Sequence, residues 1–408
     1  MNVLGVIAEY NPFHNGHKYH LRQAIEKSGA EAVIAVISSN LVQRGEFALL
    51  EKHIRAQMAI LNGISLVIEL PSIFSSASAE YFAFGGVSAL NSTGLVTHIG
   101  FGCEDPEISK MNEAANILAN ESDEFILTLR QFMSTGLSYA KARILACEKF
   151  LDFPVDFLVK SNNILAVEYL KALKRLKSNI IPCPVKRIGS DYRELELTDK
   201  NPSSSALRKF IYENPPEDLF EIKKYMPYLV FDILNDHITF KDFPDRNKFD
   251  VHVLTLLRTL PIEDIRNLPY VCEGLEHRLI KAARECVDLG GFYKMCNSSR
   301  YPDSRISRII ACLLAGVTKD ILNEAKINGV PYLKVLAFSE KGEDLLRQMK
   351  KTAFLPIITK PSDLKKLTGF ASLSADIENR VTDIFNLSLF DPKPAGSEYK
   401  TTPYCFLS

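Results

Sequence analysis

The chain opens with an unbroken β-favouring run, Val3 to Ala8, that is cut off at Asn11-Pro12. A run of that length and apolarity fits a strand buried on both faces of a parallel sheet, and it is too short for a buried helix. Pro12 fixes its own φ and pushes Asn11 out of helical space, so the chain turns before Phe13. A helix then starts. Residues three apart on a helix share one face, so His14 and His17 project together, and Gly16 between them lets a ligand approach the backbone closely. The first N–H groups of that helix and its dipole attract anions at the same place.

From the residues alone three readings of this segment stay open. Two imidazoles beside oriented amides suit the stabilisation of charge on an α-phosphate during nucleotidyl transfer, with no covalent intermediate. His14, Asn15 and His17 equally suit an ordinary polar helix cap, with Phe13 and Leu21 as core. The recurrence of His14, His17 and His20 at every third position also suits a metal site, although no acidic or cysteine partner stands nearby at a familiar spacing.

At 408 residues the chain is long enough for two or three units. It has 46% hydrophobic residues, no tract of about 18 apolar residues and a polar-punctuated N-terminus. These features predict no transmembrane helix, no secretory signal, no membrane partner and a cytoplasmic setting. The eight cysteines include no C-x-x-C pair and no zinc-finger spacing, which predicts that most are buried free thiols in a reducing compartment. Lys plus Arg equals Asp plus Glu at 49 each, so a polyanion has to be held by a local patch. Between Lys160 and Phe210 eleven Lys or Arg stand against five Asp or Glu, with Lys171, Lys174, Arg175 and Lys177 on one predicted helix. A solvated helix face is the alternative reading of that run.

Strand-like and helical runs alternate from Met1 to about Ser190. The pattern predicts an α/β, Rossmann-like doubly wound parallel sheet in a nucleotide-binding domain over residues 1–210. The strands are Val3–Ala8, Ala32–Ile37, Leu66–Leu70, His98–Phe101 and Pro184–Ile188. In such sheets ligands bind beyond the carboxyl ends of the strands, and each polar block falls at or just after one: Ser38–Glu46, Glu69-Leu70-Pro71, Gly100–Glu104, and Lys186 with Arg187. Asn201–Arg208 reads as a serine-capped helix start that could grip a phosphate. Residues 211–391 read as a mainly helical domain, and 392–408, with Pro392, Pro394, Gly396 and Pro403, as an irregular tail.

The blocks G-x-x-A-E-Y-N-P-F-H-N-G-H, S-x-N-x-V-Q-R-G-E, E-L-P, G-F-G-C-E, S-N-N-I-L and V-K-R-I-G occur in that order over the first 210 residues. Their order strongly resembles the bacterial tRNA(Met) cytidine acetate ligase family. N-P-F-H-N-G-H also looks like the T/H-x-G-H element of the wider nucleotidyltransferase superfamily, and Ser203–Arg208 like its I-S-S-T-x-I-R element. The chain departs from the family pattern at Ser39, Leu41, Phe47 and Ala166, none of which removes an ionic or histidine group.

The resemblance implies an enzyme that makes acetyl-adenylate from acetate and ATP, with Mg2+ accompanying the ATP, and passes the acetyl group to the wobble cytidine of elongator tRNA(Met). It implies ATP contacts from Ile7, Ala8, Glu9, Tyr10, Asn11, Pro12, Phe13, His14, Asn15, Gly16, His17, Lys18, Tyr19 and His20, and from Gly102, Asn162 and Arg187. Lys186 and Arg208 are looser members of that set. His14 and His17 are the expected catalytic pair, and Lys171, Lys174, Arg175 and Lys177 are expected to meet the tRNA backbone. A small-molecule nucleotidyltransferase, an acetate:protein ligase and an RNA-binding ATP sensor are the alternatives on the same fold.

Overall fold

A computed structural model of the chain describes residues 1–187, 197 and 202–406. Among the described residues there are ten strands: β1 Val3–Ala8, β2 Ala32–Ser38, β3 Leu41–Val42, β4 Glu46–Phe47, β5 Leu66–Leu70, β6 His98–Cys103, β7 Ile181–Lys186, β8 Leu333–Ser339, β9 Ile357–Ile358 and β10 Tyr404–Phe406. β3 and β4 make a small antiparallel hairpin, and the others form one sheet ordered β10-β8-β5-β2-β1-β6-β7 with β9 added on β8. β5, β2, β1, β6 and β7 are mutually parallel, while β8 runs antiparallel to β5.

The central strands are apolar along their length because both faces are covered. Helix Asn15–Ser28 packs against β6 and β7, and helix Ala79–Ser92 lies on the other face across β1, β2 and β5. The second helix sits very close: a Cβ on Gly86 would lie 2.6 Å from Ile7. β7 starts earlier than the expected Pro184–Ile188, and it tolerates both Pro182 and Pro184 because it is the edge strand, where missing N–H donors face no neighbour. Ile188 and Asn201, the outer ends of two expected segments, lie outside the described residues.

From β1 the chain moves outward through β2 to β5, then crosses back to place β6 on the other flank of β1. Loops leaving β1 and β6 therefore diverge, which opens a crevice at their carboxyl ends. That crevice holds the site described below.

Residues beyond 211 are mostly helical, with a core of their own that includes Leu254, Leu257, Leu279, Phe292, Ile306 and Ile309. They are not all helical, however, and residues 392–408 are not simply an irregular tail. Leu333–Ser339 enters the main sheet beside β5, and Tyr404–Phe406 extends it by pairing in parallel with β8. An uncovered β5 would present a row of unpaired backbone groups, and β8 removes that edge.

Charged side chains fasten this edge from within. The Lys52 ammonium contacts Glu69 on β5, Glu398 at 2.7 Å and Glu378 at 3.8 Å, and Lys334 on β8 contacts Glu398 and Glu69, the latter at 3.3 Å. All five side chains are buried. Burial, reinforced by Glu69, pushes the Glu378 carboxyl up to about 7. Burial acts the same way on Glu398, yet Lys334 and Lys52 hold it well below the usual carboxylate range. Removing one member strands the others without compensation. Lys334→Ala is therefore expected to lower the unfolding free energy by about 3–5 kcal/mol, read as a shift of the urea midpoint. A loss under about 1 kcal/mol would refute this account of the edge.

Candidate active site

β1 ends at Ala8, and the chain then reverses through Tyr10, which has φ of 48°, and a cis Asn11-Pro12 peptide. Such a φ is unusual for a bulky side chain and survives only where neighbours fix it. Tyr10 and Phe13 are both buried with their rings 4.9 Å apart, and the His17 ring stands edge-on to Tyr10 at 5.1 Å. Leu49 N–H donates to Asn11 Oδ1 at 2.8 Å, and Arg208 Nη1 donates to the Asn11 carbonyl at 2.8 Å.

Helix Asn15–Ser28 then begins on two histidines that cap each other's backbone. Gly16 N–H donates to His14 Nδ1 at 3.0 Å, and His14 N–H donates to His17 Nδ1 at 3.2 Å. Both rings use Nδ1 as an acceptor, so each neutral imidazole carries its proton on Nε2. The ring centroids are 3.9 Å apart. Gly16 is required for a reason other than ligand access: a Cβ there would lie 2.7 Å from the His14 ring that folds over it.

Both imidazoles stay neutral. Burial, with Arg187 adding to it, drives the His14 pKa down from 6.5 to about 3. Burial also holds His17 well below its ordinary value, helped by His14, Arg187 and His20. His20 falls to about 4, again through burial and then Arg187.

The opposite wall comes from β6, β7 and helix Ser161–Arg175. Glu104 accepts from Asn162 Nδ2 at 2.6 Å, and Asn162 Oδ1 accepts from Arg187 Nη1 at 3.1 Å, so one carboxylate aligns an amide and the amide aligns a guanidinium. Gly102 lies beneath both: a Cβ would be 3.2 Å from the Arg187 stem and 3.9 Å from His20. Together these walls enclose a cavity of about 660 Å³.

The expected residues Ile7, Ala8, Glu9, Tyr10, Asn11, His14, Gly16, His17, Tyr19, His20, Gly102, Asn162, Lys186 and Arg187 all line this cavity. Four others do not. Pro12 and Phe13 are buried behind the turn, Asn15 donates to the Lys224 carbonyl at 3.0 Å, and Lys18 is exposed. Arg208 is also absent from the wall: buried, it holds the Asn11 carbonyl and Ser205 Oγ. The cavity draws on residues that carried no expected role, among them Gln43 and Arg44 after β2, and Ser304 and Arg308 from helix Asp303–Ala315. The Gln-Arg-Gly-Glu block marked the first pair, and nothing in the sequence marked the second. Among the described residues no group of three His, Cys, Asp or Glu is placed to hold a metal ion.

The expected basic patch is altered by one residue above all. Lys171 is buried, with its ammonium 2.8 Å from Glu80 and 3.8 Å from Glu168, so it cannot face a polyanion. Its helix packs that side against helix Ala79–Ser92, which a count of charges along one sequence does not reveal. Arg175 lies over the Phe84 ring and 3.7 Å from Glu80 yet is exposed, as is Lys177, and Lys174 is partly so.

A parallel sheet with an H-x-G-H helix start at its switch point defines a nucleotidyl transferase. A family model described as HIGH Nucleotidyl Transferase matches residues 1–400. The chain is 40% identical over 404 residues to a protein of Thermoanaerobacter sp. (strain X514) named tRNA(Met) cytidine acetate ligase, and 38% identical over 412 residues to one of the same name from Acetivibrio thermocellus. Each alignment covers 98% of both chains. Among solved structures, the apo form of Thermotoga maritima TmcAL superposes with a TM-score of 0.96 at 31% identity, and its form bound with alpha-thio ATP with 0.93 at 30%, over 100% of every chain. The chain belongs to the HIGH nucleotidyl transferase family and, within it, to the tRNA(Met) cytidine acetate ligases.

Keeping His14 neutral links the site to stability. A histidine whose folded pKa lies below 6.5 contributes stability that is fully present above 6.5 and is lost as pH falls through 6.5 toward the folded value. His14→Asn keeps a capping side chain and removes this titration. The loss of unfolding free energy between pH 7 and pH 5 is expected to be smaller in this variant by on the order of 2 kcal/mol, measured by urea unfolding of nucleotide-free protein.

Proposed function

We propose that this chain activates acetate with ATP and transfers the acetyl group to the wobble cytidine of elongator tRNA(Met), leaving N4-acetylcytidine. The observation that carries this reading is the reciprocal histidine cap: Nδ1 of each ring is occupied, and two neutral Nε2–H donors remain at the switch-point crevice. The cap reading and the phosphate reading of H-x-G-H are then the same arrangement.

Acetate is a poor acyl donor until one of its oxygens becomes a good leaving group. In the first step a carboxylate oxygen attacks the α-phosphorus of ATP and the bond to pyrophosphate breaks. In the second the cytidine N4 amine attacks the acetyl carbonyl, the bond to AMP breaks, and the amine loses a proton. Neither step needs a nucleophilic side chain. The protein's part is positioning and the stabilisation of charge that grows on the phosphate oxygens. His14 and His17 supply donors for that charge, Arg187 supplies a cation, and Asn162 and Gly102 shape the adenosine side. ATP enters as its magnesium complex, with the metal carried on its phosphates.

Lys174, Arg175 and Lys177 remain as candidates for the tRNA backbone, and a cytidine in a single-stranded loop can be splayed into the crevice without opening a duplex. Binding through such contacts weakens steeply as salt rises.

His17→Ala is expected to lose roughly 3 kcal/mol of transition-state stabilisation, a rate reduction of roughly a hundredfold or more. The check is mass spectrometry of nucleosides from tRNA incubated with the protein, ATP and isotopically labelled acetate. Labelled N4-acetylcytidine is expected with the unaltered chain. Binding of tRNA and ATP without release of pyrophosphate would instead make the protein a non-catalytic sensor.

A further inference from the structure

The cavity has a cation on each flank of β1. Arg187 stands on the β6 and β7 side, and Arg308 lies on the β2 side, contributed by helix Asp303–Ala315. The two are anchored differently. Arg187 has Asn162 as a hydrogen-bond partner, whereas Arg308 Nε is buried with none among the described residues. Its guanidinium is 5.5 Å from the centre of the Tyr270 ring, which holds it by a cation–π contact. Burial lowers its pKa from the usual arginine value, Tyr270 and Cys312 act the other way, and the nearby charges of Arg305 and Arg44 lower it further. A cation with a buried nitrogen normally has an anion or hydrogen-bond acceptors to satisfy it.

The surroundings narrow the anion. Tyr270 Oη accepts from Ser78 N–H at 3.0 Å, which ties the ring under Arg308 to the start of helix Ala79–Ser92. Ala79 and Phe82 of that helix line the same cavity. Gln43 N–H donates to Glu9 at 2.9 Å, so the loop bearing Arg44 is fixed beside the end of β1. Gly45, with φ of 78°, would bring a Cβ within 2.5 Å of the Arg308 backbone nitrogen, so loop and helix meet without a gap.

We infer that Arg308 and Arg44, walled by Ala79 and Phe82, form the subsite for the short carboxylic acid. This rests on the acetate-activating reading above. A carboxylate has to approach an α-phosphate that is itself negative, from the side opposite the departing pyrophosphate. A guanidinium fork grips a carboxylate through paired hydrogen bonds and offsets that repulsion, while the apolar wall takes the methyl group.

Steady-state kinetics over a range of acetate concentrations, with ATP affinity measured separately by equilibrium dialysis, tests the assignment. Arg308→Gln is expected to raise the KM for acetate at least tenfold and to leave ATP affinity within twofold, which also reports an intact fold. Arg308→Lys, retaining charge but not the fork, is expected to fall between the two. An unchanged acetate KM in an otherwise active Arg308→Gln protein would overturn the subsite, as would a defect confined to the KM for tRNA, which would make the guanidinium a contact for an RNA phosphate. If the unaltered chain consumes no ATP in response to acetate, the activity itself is wrong and the subsite falls with it.

Discussion

Two lysines and three glutamates are buried together at the β5 edge, and through them five stretches of chain are held in one arrangement. Lys52 comes from the helix after the β3–β4 hairpin, Glu69 from β5, Lys334 from β8, Glu378 from helix Gly369–Ser388 and Glu398 from the C-terminal segment. Burying five ionisable groups is expensive, and such groups hold register more dependably than they add stability. Glu378 also accepts from Ser39 Oγ and Ser72 N–H, at the carboxyl ends of β2 and β5. Helix Gly369–Ser388 packs against helix Asp303–Ala315, the source of Ser304 and Arg308. The cluster thus sets where the helical half of the chain stands over the sheet, and with it one wall of the cavity.

A second set of contacts fixes the histidine turn. Arg55, buried, donates to the carbonyls of Leu50, Glu9 and Ser39, which binds the ends of β1 and β2 to each other. Arg208 and Leu49 N–H then hold the two oxygens of Asn11. Neither arginine lines the cavity; both hold the backbone from which the lining side chains project. A site that stabilises charge by donors placed in advance depends on such support, because a donor displaced by about 1 Å loses most of its advantage.

Much of the first 210 residues was legible because their strands carry strong signals. Val3–Ala8 and Ala32–Ile37 are apolar on both faces and Leu66–Leu70 is interrupted only by Glu69, a pattern that belongs to a covered parallel sheet. β8 was missed because Lys334 interrupts its apolar run, and the carboxylates that make a lysine tolerable there come from residues 69 and 398. β10 is a strand of three residues with no periodicity to read. Lys171 is expected to meet the tRNA backbone, and the expectation fails because a helix with polar residues on several sides does not announce which side meets a buried glutamate. In the site, motif order pointed to residues on the histidine turn and beyond β6. Arg308 could not be found that way: what distinguishes it is a buried Nε with no hydrogen-bond partner among the described residues, a property of the tertiary structure.

The histidine pair shows why H-x-G-H is tighter than a preference for polar residues at a helix start. Asparagine or serine could cap either amide, but each would leave no second, oppositely directed donor on a rigid ring. Histidine caps with Nδ1 and keeps Nε2–H for another partner. The arrangement works only if the imidazole stays neutral, since a protonated ring has no lone pair left at Nδ1 to accept Gly16 or His14 N–H. Burial and the neighbouring Arg187 keep it neutral. The same guanidinium that would draw in a triphosphate therefore also preserves the cap that aims the donors, so the two halves of the crevice depend on each other before any nucleotide arrives.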